Sequence, residues 1–234
     1  MYGNSRHSSP PGTIGRMRPH MLYFFCNYMG EKILFQPLTT TDRVTVLLYR
    51  LGIVLSSMIT GVAGFLAYAV LSGSVAIPPL LQNTTVLVVL LFMFYFSVGL
   101  SVFFIHLYIG KLYRFLKRVF YLATACLIAL VILGNGNPLF PLSMTPAYRL
   151  LLIPVAFCLG FVTAKEAFCF RLYEGYLLFG LMPSYLLFSS MRVLSFQAEM
   201  TGIIMTAALL VFFTLRKVFM PLHCDIGDKS AYTP

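Results

Sequence analysis

Six residues carry most of the chemistry open to the apolar part of this chain: His106, Lys165, Glu166, Cys169, Arg171 and Glu174. An ionisable group within a membrane-type segment is costly to bury, so each is a functional candidate by default. Lys165 and Glu166 fall toward one end of an apolar run, with Cys169 three residues after Glu166 and four after Lys165. Adjacent helical residues point about 100° apart, so Lys165 and Glu166 are expected not to pair with each other. Each then needs a partner from elsewhere, and His106, Arg50, Lys111 and Arg114 are the groups available. Such a layer suits the handling of a proton or an anionic solute. The alternative is that these charges reach the headgroups and lock helices together.

Other chemistries find little support. Metal catalysis needs three or more His, Asp or Glu ligands, and the spans offer one histidine with Glu166 nearby. A Glu-x-x-His di-metal motif is missing, and no glycine-rich nucleotide fingerprint follows a strand. His7, His20 and His223 lie outside the spans, so a pair of haem ligands is not on offer. No base–nucleophile spacing makes Cys169 or Glu166 an enzyme's working residue. No catalytic set, metal or cofactor is therefore expected.

The elements that must position these residues follow from composition. Of 234 residues, 59% are hydrophobic and 10% are charged, against roughly 25% charged in ordinary soluble domains. From Leu51 to Gly110 there is no Asp, Glu, Lys or Arg. A soluble fold could not cover so much apolar surface. This excludes a soluble enzyme, a secreted disulfide scaffold, a disordered chain and a nucleic-acid-binding domain. The expected fold is an all-α polytopic membrane helix bundle. The five cysteines (Cys26, Cys126, Cys158, Cys169 and Cys224) are odd in number and lack Cys-x-x-Cys spacing, so they read as structural thiols.

The chain divides into a polar tail with a short interfacial apolar patch over 1–40, a membrane domain over 41–217 and a C-terminal tail over 218–234. Met1–His20 reads as disordered, and Met21–Met29 reads as an interfacial patch because no small-residue cleavage site follows it. Thr40-Thr41-Asp42 signals a helix start. Six spans are expected, at about 51–71, 85–109, 119–134, 150–170, 175–191 and 200–215, since about 20 helical residues cover a ~30 Å hydrocarbon core. Gly110 is the expected stop of the second. Pro154 lies early enough in the fourth to be tolerated, and Arg171–Glu174 is expected as a tight turn. Ser57, Gly61 and Gly64 form a small-residue face suited to helix packing.

The net charge of +10 comes from 17 Lys and Arg against 7 Asp and Glu. With the amino terminus in the cytoplasm, only Arg149 and Arg192 fall on the outer side. That asymmetry predicts both tails inside. Lys111, Arg114, Lys117 and Arg118 form a basic interfacial stretch expected to bind anionic headgroups. Asn83-Thr84-Thr85 is a formal glycosylation sequon, taken as chance because it abuts the second span.

Three stretches carry a family resemblance: His106-Leu107-Tyr108 with the basic run after it, Ala164-Lys165-Glu166-Ala167-Phe168-Cys169-Phe170-Arg171, and Arg216-Lys217-Val218 leading to Asp225-Ile226-Gly227-Asp228-Lys229-Ser230. Together they resemble an uncharacterised bacterial integral-membrane family, domain of unknown function 2301, from about Thr40 to Ser230. The resemblance implies a multi-pass membrane protein without an assigned activity. It also marks Lys165–Arg171 and the tail residues Asp225, Gly227, Asp228 and Lys229 as distinctive.

Three functions are in view. The first is a structural or assembly protein of the cytoplasmic membrane that binds anionic lipid or another membrane protein. The second is a small carrier for a proton or anionic solute. An enzyme embedded in the membrane ranks last.

Overall fold

The computed structural model describes residues 39–107, 109–220 and 225, all within one unit, Phe35–Pro234. The readings made above for Met1–His20, Met21–Met29, Cys26, His223, Cys224, Gly227, Asp228 and Lys229 lie outside the described residues. Every regular element described is a helix, in the order α1 (Thr40–Ser72), α2 (Pro79–Gln82), α3 (Thr84–Phe104), α4 (Gly110–Leu133), α5 (Leu139–Met144), a 3₁₀ segment (Pro146–Leu152), α6 (Ile153–Phe170), α7 (Tyr173–Ser190) and α8 (Phe196–Val218).

α1 starts where its capping chemistry requires. The Thr39 hydroxyl accepts from the Asp42 amide at 3.2 Å, and the Asp42 carboxylate accepts from the Thr39 amide at 2.9 Å. This reciprocal box satisfies donors that a helix start otherwise leaves open. With 33 residues, α1 extends about 50 Å. Gly73, at φ 63°, terminates it in the left-handed region, which a residue without Cβ enters freely.

The glycine positions let neighbouring helices approach. Gly64 of α1 faces Ala207 of α8, and a Cβ there would stand 2.5 Å from the Ala207 Cβ. Gly52 faces α3, where the same atom would meet the Ser97 carbonyl oxygen at 2.6 Å. α1 thus packs closely on α8 and on α3, while α6 packs chiefly on α7. Gly61, one turn before Gly64, meets Val211 at ordinary contact distance, so the small-residue face packs helices.

Large apolar side chains point outward along the helices, among them Leu47, Leu51, Met58 and Phe65 of α1 and Leu122, Ile128 and Ile132 of α4. Five helical stretches are long and apolar enough to cross a membrane: Thr40–Ser72, Thr84–Phe104, Gly110–Leu133, Pro146–Phe170 and Phe196–Val218. α7, the expected fifth span, is a helix of 18 residues with Pro183 inside it. It is not among these five, because Glu174, its tyrosines and its serines dilute its apolar content.

Several boundaries differ from expectation. α3 ends at Phe104, and Gly110 opens α4 where a stop was expected. Neither Ile105 nor Ile109 provides a side-chain cap, so the break leaves no local signal. It places His106 in a non-helical link. The basic stretch is likewise no separate segment: Lys111 to Arg118 occupy the first turns of α4, which was expected only from residue 119. Finally, the fourth span begins as a 3₁₀ segment at Pro146, and Pro154 falls in the first turn of α6, where its missing amide costs nothing.

Candidate functional site: a buried ionic network

Glu166 is the centre of a closed set of charged and polar groups. The Tyr49 hydroxyl of α1 donates to Glu166 Oε1 at 2.7 Å, and Lys165 Nζ reaches the same oxygen at 2.7 Å. Lys217, in the last turn of α8, ion-pairs with Glu166 Oε2 and also with Asp225 Oδ1. Arg50 Nε holds the other Asp225 oxygen at 2.7 Å. The Glu166 side chain is wholly enclosed, and those of Lys217 and Asp225 are each 1% exposed. Aromatic faces complete the enclosure: Lys165 lies 5.4 Å from the Tyr49 ring centroid and Lys217 lies 4.0 Å from that of Phe170, favourable placements for a cation.

The neighbouring pair Lys165–Glu166 corrects the expectation that they do not meet. The 100° between successive Cβ directions holds, but the lysine stem carries its ammonium back across that angle to the glutamate. The expected partners change too. Glu166 is held by Tyr49 and Lys217 in addition to Lys165, and Arg50 serves Asp225 instead. Lys217 entered the sequence analysis only as part of the Arg216-Lys217-Val218 stretch of the family resemblance. Its place at the same end of an apolar helix as Lys165 was the signal available in the sequence. Tyr49 left none, being one of 14 tyrosines.

His106 stands beside this network. Thr45 Oγ1 donates to the Asp42 carbonyl at 3.0 Å and lies within hydrogen-bond distance of His106 Nε2, at 3.3 Å. Nδ1 is buried with no hydrogen-bond partner among the described residues. Burial, and then the nearby Lys165 charge, hold the imidazole pKa below its ordinary value; Asp225, Asp42 and Glu166 pull the other way.

The other candidates are placed differently. Cys169 is half-buried within electrostatic reach of Lys165, Glu166, Lys217 and Asp225. Arg171 is exposed and adopts φ 54°, ending α6 so that α7 restarts two residues later; the turn expected over Arg171–Glu174 is only Arg171 and Leu172, and Glu174 lies in the first turn of α7. Glu174 is engaged by Arg216, whose Nη1 meets both carboxylate oxygens at 2.8 and 2.9 Å. Lys111, Arg114 and Arg118 are exposed, while Lys117 lies over the Tyr113 ring at 4.1 Å. Cys126, Cys158 and Cys169 are free thiols. The sequon asparagine, Asn83, caps α3 by accepting from the Thr85 amide at 2.9 Å.

A second ionic group joins α7, α8 and the 3₁₀ segment. Arg149 pairs with Glu199 at 2.5 Å, and Ser189 bonds to both. Glu199 had no place in the sequence reading. Near this group lies an apolar cavity of about 190 Å³, lined by Thr60, Phe94, Leu159, Met182, Tyr185 and Ile203 among others. It is lined by none of the network residues.

An all-helical bundle with outward apolar side chains and an ion-paired internal charge network defines a polytopic membrane protein. The family comparison agrees: residues 100–233 match the family described as an uncharacterised integral membrane protein, domain of unknown function 2301, and the chain belongs to that family. The match includes Lys165, Glu166, Lys217 and Asp225 and excludes Tyr49 and Arg50, so it begins later than the expected Thr40. Neither the curated proteins nor the solved structures contain a match.

Proposed function

We propose that the protein is a structural or assembly protein of the cytoplasmic membrane, with six spans between tails 1–40 and 218–234 and both tails on the cytoplasmic side. The observation that carries this reading is the closed state of Glu166. Its Oε1 takes hydrogen bonds from Tyr49 and Lys165 and its Oε2 is ion-paired with Lys217, so its charge ties α1, α6 and α8 together. The apolar cavity beside Tyr185 is lined by none of these groups.

Anionic lipid is the proposed contact of the α4 start. Lys111, Arg114, Lys117 and Arg118 cluster at a helix N-terminus that has no acidic residue in its first turn. Backbone dipole and side chains there attract the same negative charge. Purification in mild detergent is expected to recover a stoichiometric membrane protein partner, and recovery of the bare protein in several detergents would refute the assembly role. Reporter fusions after residue 234 are expected to read as cytoplasmic.

A carrier for a proton or anionic solute is the second reading, favoured by the Nδ1 of His106, which has no partner among the described residues and lies near Lys165. On that reading Glu166→Gln abolishes uptake into vesicles while folded protein stays near its normal level. Parallel loss of uptake and of folded protein marks the glutamate as structural.

A further inference from the structure

We propose that Arg50 and Lys217 form an anion-binding site whose intramolecular occupant is the Asp225 carboxylate, and that a carboxylate- or phosphate-bearing ligand takes the same place when Asp225 leaves it. The two cations come from different helices and each holds a different oxygen: Arg50 Nε takes Oδ2 at 2.7 Å and Lys217 takes Oδ1. Two donors meeting the two oxygens of one small anion, in a place where the carboxylate is 1% exposed, is the arrangement of a binding pocket for a carboxylate or phosphate.

Both cations are positioned by groups other than Asp225. Arg50 Nη1 donates to the carbonyls of Met220 at 2.6 Å and Val218 at 3.3 Å. Lys217 is held by Glu166 Oε2 and rests over the Phe170 ring at 4.0 Å. Removing the aspartate therefore leaves an oriented pair of donors, and a preorganised site loses little on binding a new anion. The occupant is supplied by chain beyond the end of α8 at Val218. Arg50, Lys217 and Asp225 thus relate as a receptor does to a tethered ligand, which makes Asp225 a competitor of any free one. The site stands independently of the assembly role.

Chemical rescue tests it on the full chain. Asp225→Ala clears a space of carboxylate size, and its thermal stability in detergent is measured with sodium acetate, with inorganic phosphate, and with sodium chloride at matched ionic strength. Acetate or phosphate is expected to raise the Tm of the variant saturably, by at least about 2–4 °C, with no such rise in the wild type. Parallel samples in micelles doped with phosphatidic acid or with phosphatidylcholine distinguish the source of the anion. A rise with phosphatidic acid alone assigns a lipid headgroup, and a rise with the free anions assigns a solute. No rise beyond the chloride control in any arm overturns the proposal. So does an equal rise in the Asp225→Ala/Lys217→Met double variant, which lacks one of the two donors. Should Asp225→Ala not be recovered folded, Asp225→Asn, which keeps the side chain's shape, is read by the same criteria.

Discussion

Tyr49 donates its phenolic hydrogen to Glu166 Oε1 at 2.7 Å, which fastens α1 to α6 inside a layer that water does not reach. Tyr49→Phe keeps the ring and removes only this donor. A hydrogen bond to a charged group contributes about 1.5–3 kcal/mol, so the variant should lose about that much in reversible unfolding from mixed micelles. A loss below about 0.5 kcal/mol would show that the bond is dispensable.

Glu166 and Lys217 should behave as one unit. Removing one member of a buried pair strands the other and costs about 3–5 kcal/mol. Glu166→Gln and Lys217→Met are each expected to fall in that range, while the double variant should be less destabilised than their sum by about 1–3 kcal/mol. Strict additivity in this cycle would remove Lys217 from the network.

The two glycines of α1 that face α8 give opposite outcomes. At Gly64 a methyl would press on Ala207, whereas at Gly61 it would sit 3.6 Å from Val211. Gly64→Ala is expected to cost about 1–3 kcal/mol through overpacking. Gly61→Ala should be neutral or stabilise by up to ~1 kcal/mol, the helix preference of alanine over glycine. Equal effects at the two positions would contradict the close α1–α8 crossing.

His106 predicts a pH dependence of stability. Burial and Lys165 lower its pKa in the fold, so the folded chain binds this proton less readily than the unfolded one. Its contribution is fully present above the unfolded value near 6.5 and is lost as pH falls from there through the folded value. Protonated Nδ1 would be a donor with no acceptor among the described residues, which acts in the same direction as burial and Lys165. Unfolding measured between pH 8 and pH 5 should show this decline, and His106→Gln should flatten it. An unchanged slope in the variant would assign the decline to other groups.

The start of α1 and its packing face were legible because their causes are local. Thr40 to Asp42 marked the start, although the cap itself is Thr39, one residue earlier, and Gly61 and Gly64 share a face by helical period alone. The break at Ile105 was not legible, since no cap or proline marks it and His106 is held there by Thr45 of another helix. The ionic network was half legible. Apolar context pointed to Lys165 and Glu166, and the family resemblance to Asp225, but spacing fixes where a Cβ points and not where a long lysine ends. It also cannot say which distant helix meets Glu166, so Tyr49 and Lys217 became visible only in three dimensions.

The order of synthesis gives the network a further meaning. Tyr49 and Glu166 are made before Lys217, and Asp225 is made later than all of them. Glu166 enters the bundle with Tyr49 and Lys165 as its available partners, and Lys217 arrives only with α8. A carboxylate short of its partners is a liability within apolar surroundings. The ionic layer around Glu166 therefore closes only once α8 has brought Lys217 to it.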